Sequence, residues 1–193
     1  MLVTLSGSGL AAGREQQRRG QRWICDRASS HIVFQNDIMT DEFKRWGLTF
    51  RGVDPRGIDK EMTEYAEADL ITVPSKFAQR SFIRKGVREG KVARVPFGVD
   101  LSRFRPMAEP QPNAFQVLFV GQVSLRKGVP YLLEAFRDFR HPRKKLVIIG
   151  TVQPEARRFL SPLGDDIQVL GARPQAELKD WMSRSHVLVL PSI

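Results

Sequence analysis

The sequence predicts an α/β fold with parallel sheets, divided into two units. Strand-length apolar runs alternate with helix-like segments along the whole chain, the pattern of strands joined by crossover helices. Several of these runs are near-continuous Val, Ile and Leu, as expected where helices cover both sheet faces. Three prolines, Pro106, Pro110 and Pro112, lie between Arg105 and Ala114 with little to bury, which suits an extended connection. The expected organisation is therefore a first domain over 1–104, a linker over 105–114 and a second domain over 115–193.

Predicted strands cover 2–5, 22–25, 69–73, 92–95, 115–120, 145–149, 167–170 and 187–190. The arginines Arg14, Arg18, Arg19 and Arg22 read as a solvated helix face between the first two strands. Asp54 followed by Pro55 places a capping residue before proline at a first helical position, opening a helix that runs to about Ala68. Ser75 caps a second helix, and Gly86 ends it in the left-handed conformation common just past a helix terminus. Val129, Leu132, Leu133 and Phe136 recur at i, i+3, i+4 and i+7, so a helix starting near Lys127 has one apolar face. Leu178, Trp181 and Met182 make a similar face after Pro174.

Composition narrows the possibilities. With 41% hydrophobic and 27% charged residues, the 193-residue chain reads as globular. The 31 basic against 21 acidic residues leave +10, which favours phosphate-bearing partners without choosing among them. The basic stretch from Arg14 to Arg22 lacks interleaved aromatics and a nucleic-acid-binding signature, so no nucleic-acid partner is expected. The single cysteine, Cys25, sits in an apolar run and reads as a buried small hydrophobe. No apolar stretch approaches the roughly 20 residues of a membrane-spanning helix, and no signal-peptide pattern opens the chain. The cytoplasm is the expected compartment.

The segment Gly121-Gln122-Val123-Ser124-Leu125-Arg126-Lys127-Gly128 follows a predicted strand and leads into a helix. Main-chain N–H groups, a helix dipole and two cations meet there, an arrangement that suits a diphosphate, although a plain turn with a solvated Arg-Lys pair has the same sequence. A second glycine loop, Gly7-Ser8-Gly9, follows the first strand and has Asp26 downstream, imitating a dinucleotide fingerprint. A strand-to-helix turn demands glycine for the same backbone reason.

Four stretches together resemble retaining glycosyltransferase family four, whose GT-B fold has two facing Rossmann-like domains. They are Ala68 through Ser75; Val95-Pro96-Phe97-Gly98-Val99-Asp100 with Phe104 and Pro106; Gly121 through Ala135; and Leu170-Gly171 through Leu178, continuing to Val187 through Ser192. The resemblance implies transfer of a sugar from a nucleoside-diphosphate donor to a hydroxyl acceptor with retention, the acceptor being a glycan, a lipid-linked molecule or a small molecule. It implies a donor-diphosphate site at Gly121, Gln122, Arg126 and Lys127, with Gln122 where relatives often carry arginine. Arg173 and Pro174 match the stretch that lies against the nucleobase, and His31 matches a catalytic-side histidine near the acceptor.

No cofactor or metal is expected, because the sequence has no Asp-x-Asp triplet of the kind that holds a divalent ion and cationic side chains can replace it. The basic charge is compatible with peripheral contact at the inner face of a membrane. In relatives two glutamates spaced by seven residues follow the Pro-Ser that here is Pro191-Ser192. The resemblance therefore implies a fragment with both domains incomplete, inactive by itself. Two phosphate contacts are worth about 4 kcal/mol, millimolar binding. The competing reading is a phosphate- or nucleic-acid-binding module without catalysis.

Overall fold

The computed structural model describes residues 1–102 and 105–193. Phe104, one of the residues in the family resemblance, lies outside the described residues, as does the end of the expected 1–104 domain. The chain forms two compact units, Met1–Val99 and Asp100–Ile193. Residues 105–114 lie in the second, where the Met107 N–H donates to Ser183 Oγ at 2.9 Å.

The first unit is a four-stranded parallel sheet in the order β1-β2-β3-β4, formed by β1 (Leu2–Leu5), β2 (Trp23–Asp26), β3 (Leu70–Val73) and β4 (Val92–Arg94). Helix α1 (Leu10–Arg18) joins the first pair, α2 (Ile32–Arg45) and α3 (Pro55–Glu67) the second, and α4 (Lys76–Arg84) the third. Trp23, Cys25, Ile71, Val73 and Val92 form one core with Ile32, Tyr65, Ala78 and Phe82. Gly13 of α1 lets the helix press onto this core, since a Cβ there would come within 2.1 Å of the Trp23 ring. The opposite sheet face differs from the expected two-sided cover. Val3 and Leu5 point there and are 55% and 64% exposed, as the period-2 alternation of a one-sided sheet requires.

The predicted caps are present. Asp54 accepts the Arg56 N–H at 2.9 Å and Pro55 opens α3. Ser75 Oγ accepts the Ala78 N–H at 3.1 Å at the start of α4, and Gly86 closes that helix at φ +86°. Helix α2 was not predicted. Its cap is a histidine, and polar Gln35, Asn36 and Asp37 interrupt the apolar spacing between Ile32 and Met39.

The second unit is a parallel sheet in the order β7-β6-β5-β8, from β5 (Phe115–Val120), β6 (Lys144–Ile149), β7 (Ile167–Gly171) and β8 (Val187–Leu188). Here both faces are covered. Val117, Phe119, Leu146 and Ile148 pack on α5 (Val129–Asp138) and on the short 3-10 helix Pro154–Leu160. Leu118, Val147 and Ile149 pack on Leu178, Trp181 and Met182 of α6 (Gln175–Ser183). The apolar face read from Val129, Leu132, Leu133 and Phe136 is buried throughout.

Candidate functional site

In an open parallel sheet, ligands settle outside the carboxyl ends of the strands, where the strand order reverses. In the second unit that point lies between β5 and β8, because β6 and β7 follow on one side of β5 and β8 returns on the other. The loop joining β5 to α5 and the segment after β8 meet there. The Ile193 N–H donates to the Arg126 carbonyl at 3.0 Å. Gly128 takes φ +67°, and a Cβ on it would lie 1.9 Å from the Pro191 carbonyl oxygen. Glycine is required at this position by conformation and by close approach at once.

The loop is held from within. The Gly121 N–H donates to the Ile149 carbonyl and the Val123 N–H to the Thr151 carbonyl, each at 2.9 Å. Val123 and Leu125 are fully buried. Ser124, also buried, accepts the Lys127 N–H through its carbonyl at 3.2 Å and its hydroxyl at 3.3 Å. The Leu125 carbonyl accepts the Gly128 N–H at 2.8 Å, and the Ser124 carbonyl accepts from Val129 at 3.4 Å. Pro130 has no N–H. The N–H groups of 127–129 thus bond back to the preceding turn at the start of α5.

What the loop does present is charge. Gln122 and Arg126 are exposed and Lys127 is half-buried. Among the described residues no carboxylate lies within ion-pair distance of Arg126 or Lys127. The positive end of the α5 dipole adds to these two cations. Arg173 and Pro174 are exposed after β7, at the same edge of the sheet. They lie two strand spacings from β5, about 10 Å. Pro174 also serves as the N-cap residue of α6.

His31 is elsewhere and differently employed. It is 0% exposed, caps α2 by accepting the Val33 N–H on Nδ1 at 3.2 Å, and packs against Tyr65 and Phe82 with ring centroids 5.1 and 5.0 Å away. Its Nε2 has no hydrogen-bond partner among the described residues. Burial, helped by the charges of Lys85 and Arg27, lowers its pKa to about 4, so the ring is neutral at pH 7. Enclosed in this way, the imidazole does not present the acceptor-facing nitrogen expected from the sequence.

The glycine loop at Gly7 resolves in the same unit. Glu64, 0% exposed, turns its carboxylate into the start of α1 and accepts N–H bonds from Gly7, from Gly9 at 2.8 Å and from Leu10 at 3.0 Å. A helix N-terminus that binds a phosphate in a dinucleotide fold is here filled by an internal anion. Beside it, Glu61 pairs with Arg27 at 2.7 Å and accepts from Ser6 Oγ at 2.6 Å and from the Tyr65 hydroxyl. Sequence reading missed this network, because Glu61 and Glu64 look like ordinary polar positions of an amphipathic helix. Cys25 is buried as expected, and burial pushes its thiol up to about 12.

Two parallel four-stranded α/β units are the architecture of solved GT-B structures. Residues 114–193 match the family described as "Glycosyl transferases group 1". The chain is 27% identical over 162 residues to D-inositol 3-phosphate glycosyltransferase 1 of Catenulispora acidiphila, a match covering 72% of this chain and 39% of the relative. Its fold matches sucrose-phosphate synthase of Thermosynechococcus elongatus with TM-score 0.72 and 22% identity, covering 98% of this chain and 49% of the other. It also matches Anabaena Alr3699/HepE, solved in complex with UDP and glucose, with TM-score 0.66 and 14% identity over 98% and 52% of the two chains. The second unit is thus similar to group 1 glycosyltransferases, and the fold of the chain is that of solved glycosyltransferase structures. It spans less than half the length of the curated relatives it matches.

Proposed function

We propose that this chain is the part of a nucleotide-sugar-dependent glycosyltransferase that holds the donor diphosphate, and that the whole protein transfers a hexosyl unit to a hydroxyl acceptor with retention. The observation that carries this reading is the pair of cations without ion-pair partners among the described residues, Arg126 and Lys127, at the strand-order reversal of the unit that matches the family. As the bond between the sugar and the diphosphate breaks, negative charge grows on the diphosphate. Fixed cations and a helix dipole aimed at that charge favour bond cleavage more than they favour the bound ground state. In this reading Lys127 supplies the main charge. Arg126 and Gln122 assist it, Gly121 gives the phosphates room, and Arg173 and Pro174 lie along the nucleobase. Cationic side chains take the place of a metal.

UDP titrated into the chain by calorimetry tests the site. Millimolar affinity is expected, since two charge-assisted contacts contribute about 4 kcal/mol. Lys127→Ala should weaken it about tenfold with thermal stability unchanged. Equal affinity in the variant, with the same melting temperature, overturns the assignment. Binding of generic duplex DNA with steep salt dependence, and no preference for UDP, would favour the non-catalytic phosphate-binding reading instead.

A further inference from the structure

Positive charge is unevenly spread over the chain. Residues 76–94 hold seven cations (Lys76, Arg80, Arg84, Lys85, Arg88, Lys91 and Arg94) against one carboxylate, Glu89. That tenth of the sequence carries six of the ten net positive charges.

The arginines of α1 are paired, Arg14 with Glu67 and both Arg18 and Arg19 with Glu15. On α4 and the turn that follows it, Lys85 pairs with Asp37 at 2.6 Å and Lys91 donates to the Ala66 carbonyl. Lys76, Arg80, Arg84, Arg88 and Arg94 are exposed and have no ion-pair partner among the described residues.

The same face is not purely polar. Phe77 is 57% exposed, touching Phe34 edge-on at 5.8 Å, and Ile83 is 39% exposed. The inner face of α4 is anchored in the core through Ala78, Ser81 and Phe82, so the helix presents a fixed outer face. Beside it a depression of about 450 Å³ is lined by Lys76, Gln79, Arg80, Ile83, Glu89 and Arg94. Its size and charge suit a phosphate headgroup.

Bulky apolar side chains bracketed by cations are what an interfacial membrane contact requires: the cations meet anionic headgroups while the apolar groups enter the acyl boundary. A nucleic-acid surface would instead read phosphates and base edges through polar groups. We infer that the outer face of α4, with Arg88 and Arg94, is a docking surface for a bilayer rich in anionic phospholipid. The residues involved lie outside the proposed donor site, so the inference stands or falls separately from the sugar-transfer reading.

Co-sedimentation of the whole chain with vesicles tests it. The wild type should bind phosphatidylcholine vesicles containing about a third phosphatidylglycerol and ignore pure phosphatidylcholine. The triple variant Lys76→Glu, Arg80→Glu, Arg84→Glu should lower partitioning about a hundredfold, roughly fivefold or more for each cation. An equal charge reversal on the second unit, Arg140→Glu, Arg143→Glu, Lys145→Glu, should leave partitioning near wild type. Independently of these variants, tryptophan emission from Phe77→Trp should shift to the blue on adding anionic vesicles. Equal binding to neutral vesicles, retention in the triple variant, equal loss in the control, or no blue shift overturns the inference. Displacement of vesicles by duplex DNA at equal phosphate concentration would overturn it in favour of a nucleic-acid partner.

Discussion

Three residues decide most of what can be tested side chain by side chain. Lys127 is half-buried beside a loop whose amides at 127–129 are occupied, so its ammonium is the mobile group that can meet a bound anion there. In the proposed transferase Lys127→Ala should reduce kcat by two or more orders of magnitude while leaving the melting temperature within a degree or two, a split read by steady-state assay and calorimetry. His31 makes the opposite kind of prediction. Its folded pKa of about 4 lies below the ordinary value of 6.5, so the folded state resists protonation. The contribution is complete above pH 6.5 and is lost as pH falls toward 4, on the order of 3 kcal/mol in all. Urea melts of wild type and His31→Asn at pH 7 and pH 4.5 should show a smaller loss in the variant. Glu64 satisfies three amides at the start of α1. Glu64→Leu leaves one buried and two part-buried donors without their acceptor and should cost several kcal/mol, visible in the urea midpoint.

At the scale of elements, the prediction belongs to the start of α5. Gly128→Ala sets a methyl group 1.9 Å from the Pro191 carbonyl oxygen at a positive φ, so the loop or the segment after β8 must move. The conformation alone should cost about 1–3 kcal/mol, and the displaced loop should lose UDP binding that Lys127→Arg would retain in part. Helices α3, α4 and α5 were legible because Asp54-Pro55, Ser75 and the Val129 to Phe136 stripe each act through local geometry. Helix α2 was not, because a histidine cap and the polar run Gln35-Asn36-Asp37 that breaks the apolar spacing carry no recognisable local signal. Its place is set by Ile32 and Met39 burying against neighbouring elements and by the His31 N–H donating to Ser81 Oγ across 50 positions of chain.

For the whole molecule, charge and unit structure set the expectations. Nucleotide binding to a protein of net charge +10 should weaken as salt rises from about 0.05 to 0.5 M, as screening shortens the reach of its cations. Hydrogen exchange with UDP present should show protection over 121–128 and 171–175 and little change in Met1–Val99, because the proposed donor contacts all lie in the second unit. No helix among the described residues is long and apolar enough to cross a membrane, so any membrane contact of these residues through α4 would be at the surface.

By itself the sequence determined the two sets of parallel strands, the principal caps and the position of the cationic loop, since these follow from apolar runs, proline, glycine and charge at short range. Only the tertiary structure decided that the first glycine loop is closed by Glu64, that His31 is sealed among aromatic rings, and that cations without ion-pair partners among the described residues gather on α4. Each of those outcomes depends on which distant side chain reaches a buried donor or an exposed charge, and the free energy of burial is settled by neighbours in space.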